Sequence, residues 1–500
     1  MASTEPITAF VSFPSPYTET LLVRALAATL PAVSISNDPP SEENPPKLQW
    51  ADYDLMTFDK PHANDSYLIS SYVYRKALIR KHQLHTTVAE YLAKSSHRGE
   101  SSVLAAPASG GVGGIPKGWT VDVQFADELD ELLMDDLYEL QETMDANAQL
   151  GDDEERQWFI LKPGFADRAQ GIRMFSTEDE LRAIFEEFEP PSDDEDDEDD
   201  EDDDEDDDES ALAKQAAATN LDDDDDDEEG GTNVLISQLR HFVIQEYLPR
   251  PMLFDLEESA TSPAVLGQKF HLRAYALVTG GWTVHVAHTM LALFSGAPYA
   301  SPQTVDGELD LRPHLTNTCL QTDGFGAPVV QDDLVRLFWD LEGLTALAAT
   351  PNGRYAPRGK VTAEWLEATF AKVGAVIAES VKAGAECGSF GLQLMPNAFE
   401  IFGVDLILSF PPTTSASTLP TPDVTLLEFN ASPDFQQTGE TLRHKLLDMF
   451  KGVVQISIAP FFGIQREEEE DREKPMEIGD ERHGWRMVGK GEVRGNWGPN

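Results

Sequence analysis

Two short apolar segments in the last quarter of the sequence constrain the fold more than any other feature. Phe399–Leu408 and Thr425–Pro433 are rich in aromatic, aliphatic and β-branched residues, which is typical of strands. The connector over 411–422 is rich in Pro, Ser and Thr and is typical of an exposed loop. Strands joined by such a connector are predicted to pair as antiparallel neighbours in one sheet.

Three oxygen-bearing side chains fall on this predicted hairpin. Glu428 and Asn430 are two residues apart and share one face of their strand, where Asp405 of the other strand can meet them. Two carboxylates and an amide oxygen suit Mg²⁺, which takes few protein ligands and fills its shell with nucleotide phosphates. The alternative is a hairpin whose polar face is solvated. Because Asp405 interrupts an otherwise apolar strand, the metal site is favoured.

The charge of the chain excludes some classes of partner. Of a formal net charge of −53, residues 189–229 contribute −25, from 26 Asp/Glu and one Lys, which leaves −28 for the rest. So polar a run cannot bury enough surface to fold, and residues 190–231 are predicted to form a disordered acidic insertion. Because the remainder is also acidic and would repel phosphates, direct nucleic-acid binding is not expected.

The cysteines and the apolar runs indicate the cellular compartment in which the chain is expected. Cys319 and Cys387 are the two cysteines and show no Cys/His metal spacing, which argues against a disulfide framework and favours a reducing compartment. Neither a signal-peptide pattern nor an apolar run long enough to span a bilayer is present. A cytoplasmic protein without membrane association is expected, and the nucleus stays open.

Residues 1–95 are predicted to form an N-terminal α/β domain. Apolar runs and helix-like runs alternate there, with strands expected at 7–13, 32–36 and 50–58 and a helix at 17–30. A further helix over 72–93 carries a basic island of Arg75, Lys76, Arg80, Lys81 and His82. It is either a solvated face or, as so acidic a chain favours, a surface for an anionic partner or substrate.

Residues 96–251 are predicted to form a central subdomain that contains the acidic insertion. Its expected parts are a linker over 96–117, an acidic helix over 127–149 and a strand, loop and strand over 158–172. Lys162 ends the first of these strands, so that the loop backbone and the lysine charge can both approach a phosphate. No Walker sequence is present.

Residues 252–465 are predicted to form a C-terminal subdomain with the metal site, followed by a loose charged tail over 466–500. Gly280 and Gly281 separate two alternating runs and predict a hairpin. Lys269, His271 and Arg273 share one face of its first strand, which is too much charge for a core. Helices are expected at 331–349, 362–384 and 441–452. The fold class is therefore α/β (α+β).

The order of these motifs resembles the tubulin-tyrosine ligase family, whose members have the ATP-grasp fold. The resemblance covers most of residues 50–463 and is greatest to the fungal, processing-body-associated branch. It depends on seven ordered motifs: Tyr74-Arg75-Lys76 with Arg80-Lys81, Leu161-Lys162-Pro163, Gln245-Glu246-Tyr247-Leu248, Lys269-Phe270 with Leu272-Arg273, His314-Leu315-Thr316-Asn317, Phe399 to Asp405, and Leu427 to Pro433.

The resemblance implies an ATP- and Mg²⁺-dependent ligase that joins an amino acid to a protein carboxylate through an acyl phosphate. By it, Lys162 and Lys269 contact ATP phosphates, and Arg273 and Asn317 bind phosphate or stabilise the transferring group. Asp405, Glu428 and Asn430 hold Mg²⁺. The adenine site is lined, mostly through backbone, by Gln245, Glu246, Tyr247 and Leu248.

Three residues depart from the family pattern, and the first is Ala169, which replaces the loop glycine before Gln170. His271 stands where the family usually has Asp, and Leu293 stands where it usually has an Arg that grips the amino-acid carboxylate. An apolar side chain cannot grip a carboxylate. ATP binding is therefore expected, while the identity of the amino-acid co-substrate stays open.

Two functions follow as hypotheses. The first is the ligase, expected as a monomer, with a protein acceptor such as a tubulin tail lying on the basic helix or an RNA-processing protein. The second is an ATP-binding interaction module of processing bodies and mRNA decapping in which ligase activity is lost or altered. The residues at 271 and 293 and the acidic body favour the second.

Overall fold

In the computed structural model, the structure describes residues 6–43, 45–108, 110–123, 126–151, 154–164, 170–188, 241–259, 261–304, 309–317, 334–388, 391–412, 418–439, 441–464 and 475–491. The predicted acidic insertion over 190–231 lies outside these residues, as do Cys319 and most of the loop after Lys162. Within the part that is described, none of the helices combines the length and apolar character needed to cross a membrane.

The N-terminal residues form a four-stranded sheet in the order β2-β1-β3-β4, and its pairs are parallel. The strands are β1 (Ile7–Ser12), β2 (Val33–Ser36), β3 (Leu48–Ala51) and β4 (Leu68–Ile69). Helix α1 (Pro16–Thr29) connects β1 to β2 and begins at Ser15, whose hydroxyl accepts from the Thr18 N–H.

The strand predicted over 50–58 is wrong in its bounds. It begins at Leu48 and ends at Ala51, because Asp52 accepts from the Asp54 N–H and starts a 3₁₀ turn over Tyr53–Leu55. The side chains of Asp and Asn compete in this way with ladder hydrogen bonds. A short helix, α2 (Asp59–Ala63), follows.

The basic helix predicted over 72–93 is two helices. The short α3 (Lys76–Ile79) is separated from α4 (Lys81–Arg98) by Arg80, whose backbone is extended at φ −94° and ψ 119°. Helix α4 ends at Gly99, whose φ of 70° closes the helix in the left-handed conformation that glycine adopts without strain. In α3, the Ala77 N–H donates to the Gly391 carbonyl, which lies in the loop before the strand that begins at Phe399.

A second, antiparallel sheet has the order β5-β8-β6-β7. Its strands are β5 (Gly118–Asp122), β6 (Phe159–Pro163), β7 (Arg173–Phe175) and β8 (His241–Glu246). The acidic helix predicted over 127–149 is broken at Asp135, whose φ of −124° and ψ of −90° are not helical. Helices α5 (Leu129–Met134), α6 (Tyr138–Ala148) and α7 (Glu178–Phe188) share one apolar cluster with this sheet.

The third sheet has 11 strands and is built around β10 (Gln268–Thr279), which pairs with β9, β11, β12 and β16. The predicted hairpin at Gly280 joins β10 to β11, with Gly280 at a φ of 60°. The other strands are β9 (Leu253–Phe254), β11 (Thr283–Ala287), β12 (Leu291–Pro298), β13 (Val335–Leu337), β14 (Thr345–Ala349), β15 (Tyr355–Lys360), β16 (Phe399–Ser409), β17 (Asp423–Asn430), β18 (Glu481–Arg482) and β19 (Trp485–Lys490).

Two predictions fail in this sheet. The helix expected over 331–349 is instead β13, a 3₁₀ turn over Phe338–Leu341, and β14, because the segment pairs with β12, β9 and β15. The tail expected to be loose contributes β19, which pairs with β11 along Thr283–Ala287. The Trp485 indole donates to the Met449 carbonyl and is fully buried, which explains why this charged segment is ordered.

The remaining helices cover the large sheet. Helix α8 (Ala363–Cys387) and helix α9 (Arg443–Val453) lie near the predicted 362–384 and 441–452. Helix α9 continues through a π-turn over Val454–Ile458 into α10 (Ala459–Phe461).

Strand β16 is buried on both faces, which accounts for its unbroken apolar sequence. Phe402 and Val404 belong to the core that includes α8, while Phe399 and Ile401 belong to the core that includes the N-terminal sheet and α9.

Candidate active site

The predicted β16–β17 hairpin forms in the antiparallel register that the sequence indicated. Asp405 is the partner of Glu428, and Gly403 is the partner of Asn430. The register shifts between Asp405 and Leu406, so that β17 has one extra residue at this point. Such a bulge re-aims neighbouring side chains and is common beside functional sites.

Asp405 is the most heavily paired of the three residues. Both its oxygens accept from Arg273 of β10, from Nε at 2.5 Å and from a terminal nitrogen at 2.9 Å, and the Asn430 amide donates at 3.2 Å. Burial would raise the pKa of Asp405, but the Arg273 charge outweighs it and holds the pKa below its usual value. Asp405 is therefore a buried, ionised carboxylate.

Glu428 is held by a residue of α4. Its carboxylate lies 3.3 Å from the ammonium of Lys81 at the start of α4, and both side chains are largely buried. Lys81 thus carries positive charge to the edge of the candidate metal site. The predicted basic island consequently contributes to the site itself as well as to the surface.

Two buried lysines face the same region. The Lys162 ammonium, at the end of β6, donates to the Gln245 amide oxygen at 2.9 Å. The Lys269 ammonium, on β10, donates to the Tyr247 hydroxyl at 2.8 Å and to the His314 carbonyl at 2.7 Å. Burial lowers the pKa of Lys162 to about 8 and that of Lys269 to about 7. Among the described residues, no carboxylate lies at contact distance from either lysine, so an anion entering here would meet incompletely neutralised cations.

The end of β8 forms the wall next to these lysines. The backbone N–H of Glu246 donates to the Lys117 carbonyl, and that of Tyr247 donates to the Trp158 carbonyl. These two N–H groups are therefore used within the protein. An adenine base at this wall would therefore contact backbone carbonyls, side chains and Leu248.

His271 and Leu293 are register partners on β10 and β12. The His271 Nδ1 lies 2.6 Å from the Thr316 hydroxyl, and its Nε2 lies 3.8 Å from Asp405 Oδ1. Burial lowers the pKa of His271 below its usual value. Leu293 is buried and offers no charge to a carboxylate.

A single cleft of about 890 Å³ joins these parts. It is lined by the N-terminal domain, the second sheet and the large sheet, and this volume is ample for a nucleotide and a second substrate. The structure brings all eleven predicted site residues to its walls: Lys162, Gln245, Glu246, Tyr247, Leu248, Lys269, Arg273, Asn317, Asp405, Glu428 and Asn430. Their individual roles stay predictions.

The donor set fits a hard cation that arrives with phosphates. Among the described residues, no three His, Cys, Asp or Glu side chains are grouped so as to hold a metal by themselves. Asp405 and Glu428 are opposite each other, and Asn430 touches Asp405, which gives two carboxylates and one amide. Mg²⁺ is commonly bound by one or two carboxylates together with substrate phosphates, so these residues fit it.

Three contacts at the cleft could not be predicted from the sequence. Lys81 meets Glu428, Thr316 meets His271, and Arg75 lies 2.8 Å from the buried Glu400. Each joins segments far apart in the chain, so no local spacing indicates them. One signal in the sequence is a charged residue inside an apolar run, and on β16 this signal marks Glu400 as well as Asp405.

Comparisons with known proteins agree with this architecture. The sequence profile of the tubulin-tyrosine ligase family matches residues 123–465. A probable tubulin–tyrosine ligase of Schizosaccharomyces pombe is 33% identical over 464 residues, covering 92% of this chain and 94% of that protein. The probable tubulin–tyrosine ligase PBY1 of Saccharomyces cerevisiae is 31% identical over 473 residues, covering 92% of this chain and 53% of that protein.

A solved structure has the same fold. The C-terminal domain of K. lactis Pby1, described as an ATP-grasp enzyme that interacts with the mRNA decapping enzyme Dcp2, superposes with a TM-score of 0.57 at 24% identity. The match covers 97% of this chain and 99% of that domain. The ATP-grasp fold predicted from the sequence is confirmed, and the chain belongs to the tubulin-tyrosine ligase family.

Proposed function

We propose that this chain is an ATP- and Mg²⁺-dependent carboxylate–amine ligase that joins an amino acid to a protein acceptor. The observation that carries the proposal is the meeting of Lys162, Lys269 and Arg273 with Asp405 and Glu428 around one cleft. Cations beside carboxylates that can hold a metal are what transfer of a phosphoryl group requires.

The reaction has two steps that balance. The acceptor carboxylate attacks the γ-phosphorus of ATP, which forms an acyl phosphate and releases ADP. The amine then attacks the acyl carbon, an amide bond forms, and phosphate and one proton leave. Both steps develop negative charge on phosphate oxygens, which the cations of the cleft stabilise.

Each residue has a part in this proposal. Lys162 and Lys269 hold the phosphates, and the β8 end from Gln245 to Leu248 lines the base. Arg273 has five N–H donors, of which Asp405 takes two, so the others can serve the transferring group together with Asn317. Asp405, Glu428 and Asn430 would hold Mg²⁺, which supplies charge neutralisation at the β- and γ-phosphates.

The test is a search for the amide product. Tubulin and RNA-processing proteins are incubated with the chain, ATP, Mg²⁺ and mixed amino acids, and mass spectrometry seeks an added residue. The Asp405→Ala and Glu428→Ala variants are run in parallel. A product that forms equally with the variants would show that the site is wrongly assigned.

A second candidate is an ATP-binding module of the mRNA decapping machinery, located in the cytoplasm and in processing bodies. It is favoured by the description of the K. lactis structural relative as a partner of Dcp2 and by Leu293 at the carboxylate position. Calorimetry that detects ATP binding, combined with no amide product across an amino-acid panel and capture of a decapping enzyme, would support it over the ligase.

A further inference from the structure

The His271 ring has one nitrogen bound and one nitrogen without a hydrogen-bond partner. Nδ1 lies 2.6 Å from the Thr316 hydroxyl, while Nε2 is buried and makes no hydrogen bond among the described residues. The residue is 6% exposed, so solvent does not satisfy this nitrogen. An unsatisfied buried polar atom costs about 1–3 kcal/mol and calls for an explanation.

The unsatisfied nitrogen points toward the candidate metal site. It lies 3.8 Å from Asp405 Oδ1, which is longer than a hydrogen bond. Metal–nitrogen and metal–oxygen bonds are each about 2.0–2.2 Å, so two ligands of one ion lie up to roughly 4.3 Å apart. The separation of His271 and Asp405 falls within this span.

The strand geometry keeps the ring at this place. His271 and Arg273 share one face of β10, and Arg273 is the register partner of Asp405 across β16. The Thr316 hydroxyl fixes the ring from the other side. A histidine that binds metal through one nitrogen is almost always held in this way through the other.

A second buried histidine provides a contrast. Within the described part of the chain, neither ring nitrogen of His285 on β11 makes a hydrogen bond, but this residue pairs with Leu277 and Met487 and is not part of the cleft wall. An unsatisfied nitrogen alone is therefore not a sign of a ligand. What distinguishes His271 is the carboxylate at ligand spacing and the cleft beside it.

We propose that His271 is a nitrogen ligand of the divalent cation held at Asp405, Glu428 and Asn430. The inference rests on the proposed function, because it takes the nucleotide-bound cation of that site as its starting point. Imidazole is a better ligand for Mn²⁺ and Co²⁺ than for Mg²⁺, which prefers oxygen. The site then prefers Mn²⁺ or Co²⁺, where an all-oxygen site would prefer Mg²⁺.

Pulsed electron paramagnetic resonance tests this directly and needs no turnover. The full chain is loaded with Mn²⁺ and a non-hydrolysable ATP analogue, once with natural histidine and once with ¹⁵N-labelled histidine. We expect a ¹⁴N modulation of the Mn²⁺ signal that changes with the label. It disappears in His271→Gln and persists in His285→Gln, the matched buried control.

Calorimetry with the same variants gives a second readout. We expect His271→Gln to weaken Mn²⁺ binding in the presence of the analogue by about tenfold and Mg²⁺ binding by less than about twofold. The labelling experiment uses the unchanged chain, so it stands even where a variant fails to fold.

The outcomes separate this inference from the proposed function. If Mn²⁺ and the analogue bind together without histidine modulation, or if the modulation survives in His271→Gln, the His271 assignment is wrong and the nucleotide site stands. If neither Mn²⁺ nor Mg²⁺ binds with the analogue, the proposed site fails and the His271 assignment fails with it.

Discussion

Strand β16 carries two buried carboxylates, five residues apart, and each faces an arginine. Asp405 meets Arg273 through two hydrogen bonds and also accepts from Asn430. Glu400 meets Arg75 at 2.8 Å and accepts from the Tyr72 N–H at 3.1 Å. Both are nearly inaccessible to solvent, yet they respond differently to burial.

The two carboxyl groups differ in how strongly their arginine partners oppose the rise in pKa that burial causes. Burial raises the pKa of Glu400 to about 7 in spite of Arg75. The two-point contact with Arg273 holds the pKa of Asp405 below its usual value despite equal burial. A single arginine contact therefore leaves a buried carboxyl only about half ionised at pH 7, whereas a two-point contact keeps it charged. Asp405 thus keeps its charge at the cleft, while Glu400 joins the segment from Tyr72 to Arg75 to the large sheet.

The largest effect is expected at Asp405. The Asp405→Asn variant keeps the shape of the side chain but removes the charge that faces Arg273. We expect ATP-dependent ligation to fall by about 10³-fold, the size of effect that follows loss of one charge-stabilising group. Product formation measured by mass spectrometry checks this, and Glu400→Gln, which is expected to stay within about threefold of the unchanged chain, is the control. Equal losses of ligation in Asp405→Asn and Glu400→Gln would show that the two carboxylates do not differ in function.

The second effect concerns stability. Glu400→Ala leaves Arg75 half of a buried pair, and removal of one partner of such a pair costs about 3 kcal/mol. Denaturant unfolding measures this cost, and Glu400→Gln, which keeps hydrogen bonding, should lose less. A loss below about 1 kcal/mol in Glu400→Ala would mean that the contact between the domains is not stabilising.

The third effect is a pH dependence of stability. The pKa of Glu400 is about 7 in the folded chain and 4.5 as its ordinary value, so the folded state keeps a proton that the unfolded state has lost. Its contribution is complete below pH 4.5 and declines as the pH rises to 7, by about 1 kcal/mol per pH unit. Unfolding curves for Glu400→Gln should lack this decline, and parallel curves for the two chains would contradict the assignment.

The fourth effect is on ATP affinity. Under the proposed function, phosphates bind the protonated forms of Lys162 and Lys269, whose pKa values are about 8 and 7. Affinity should therefore fall by about 100-fold or more as the pH rises from 7 to 9, and Lys269 accounts for the larger part of the loss. Lys269→Arg, which stays protonated, should flatten this profile in calorimetry. A profile that is unchanged in Lys269→Arg would show that Lys269 is not in contact with the phosphates.

The smallest effect is expected at an exposed pair. Lys94 and Glu90 are 2.5 Å apart on α4, and each side chain is about half exposed, at 48% and 46%. Exposed pairs of this kind contribute little because water screens them. Lys94→Ala should leave the denaturation midpoint unchanged, which makes it the reference for both buried pairs. A shift as large as that of Glu400→Ala would show that burial is not the cause of the contrast.

The sequence predicted those parts that depend on local pattern. The β16–β17 hairpin and the Gly280 turn follow from strand composition and turn residues, and all eleven residues predicted by motif lie at the cleft wall, where their roles stay predictions. The helix expected over 331–349 failed because its apolar residues pack in strands against β12 and β15. Tertiary pairing overrode the local preference there.

The sequence could not predict contacts between distant segments. The bulge opposite Asp405, the break at Arg80 and the pairing of β19 with β11 all depend on what the neighbouring chain offers. The same holds for the contact of Lys81 with Glu428, which assigns part of the basic island to the cleft. Composition indicates that the positive charge of the basic island is unusual in so acidic a chain, but it does not indicate which residue that charge contacts.

Asn397, just before β16, ties the large sheet to α2 and to the residue before β4. Its amide donates to the carbonyls of Pro61 and Tyr67 at 2.7 and 2.8 Å, which lie 336 and 330 residues earlier in the chain. Closing so large a loop costs conformational entropy that further contacts must offset. Because residues of both the N-terminal sheet and the large sheet line the cleft, the onset of ATP binding during refolding would report that these two parts of the chain have come together.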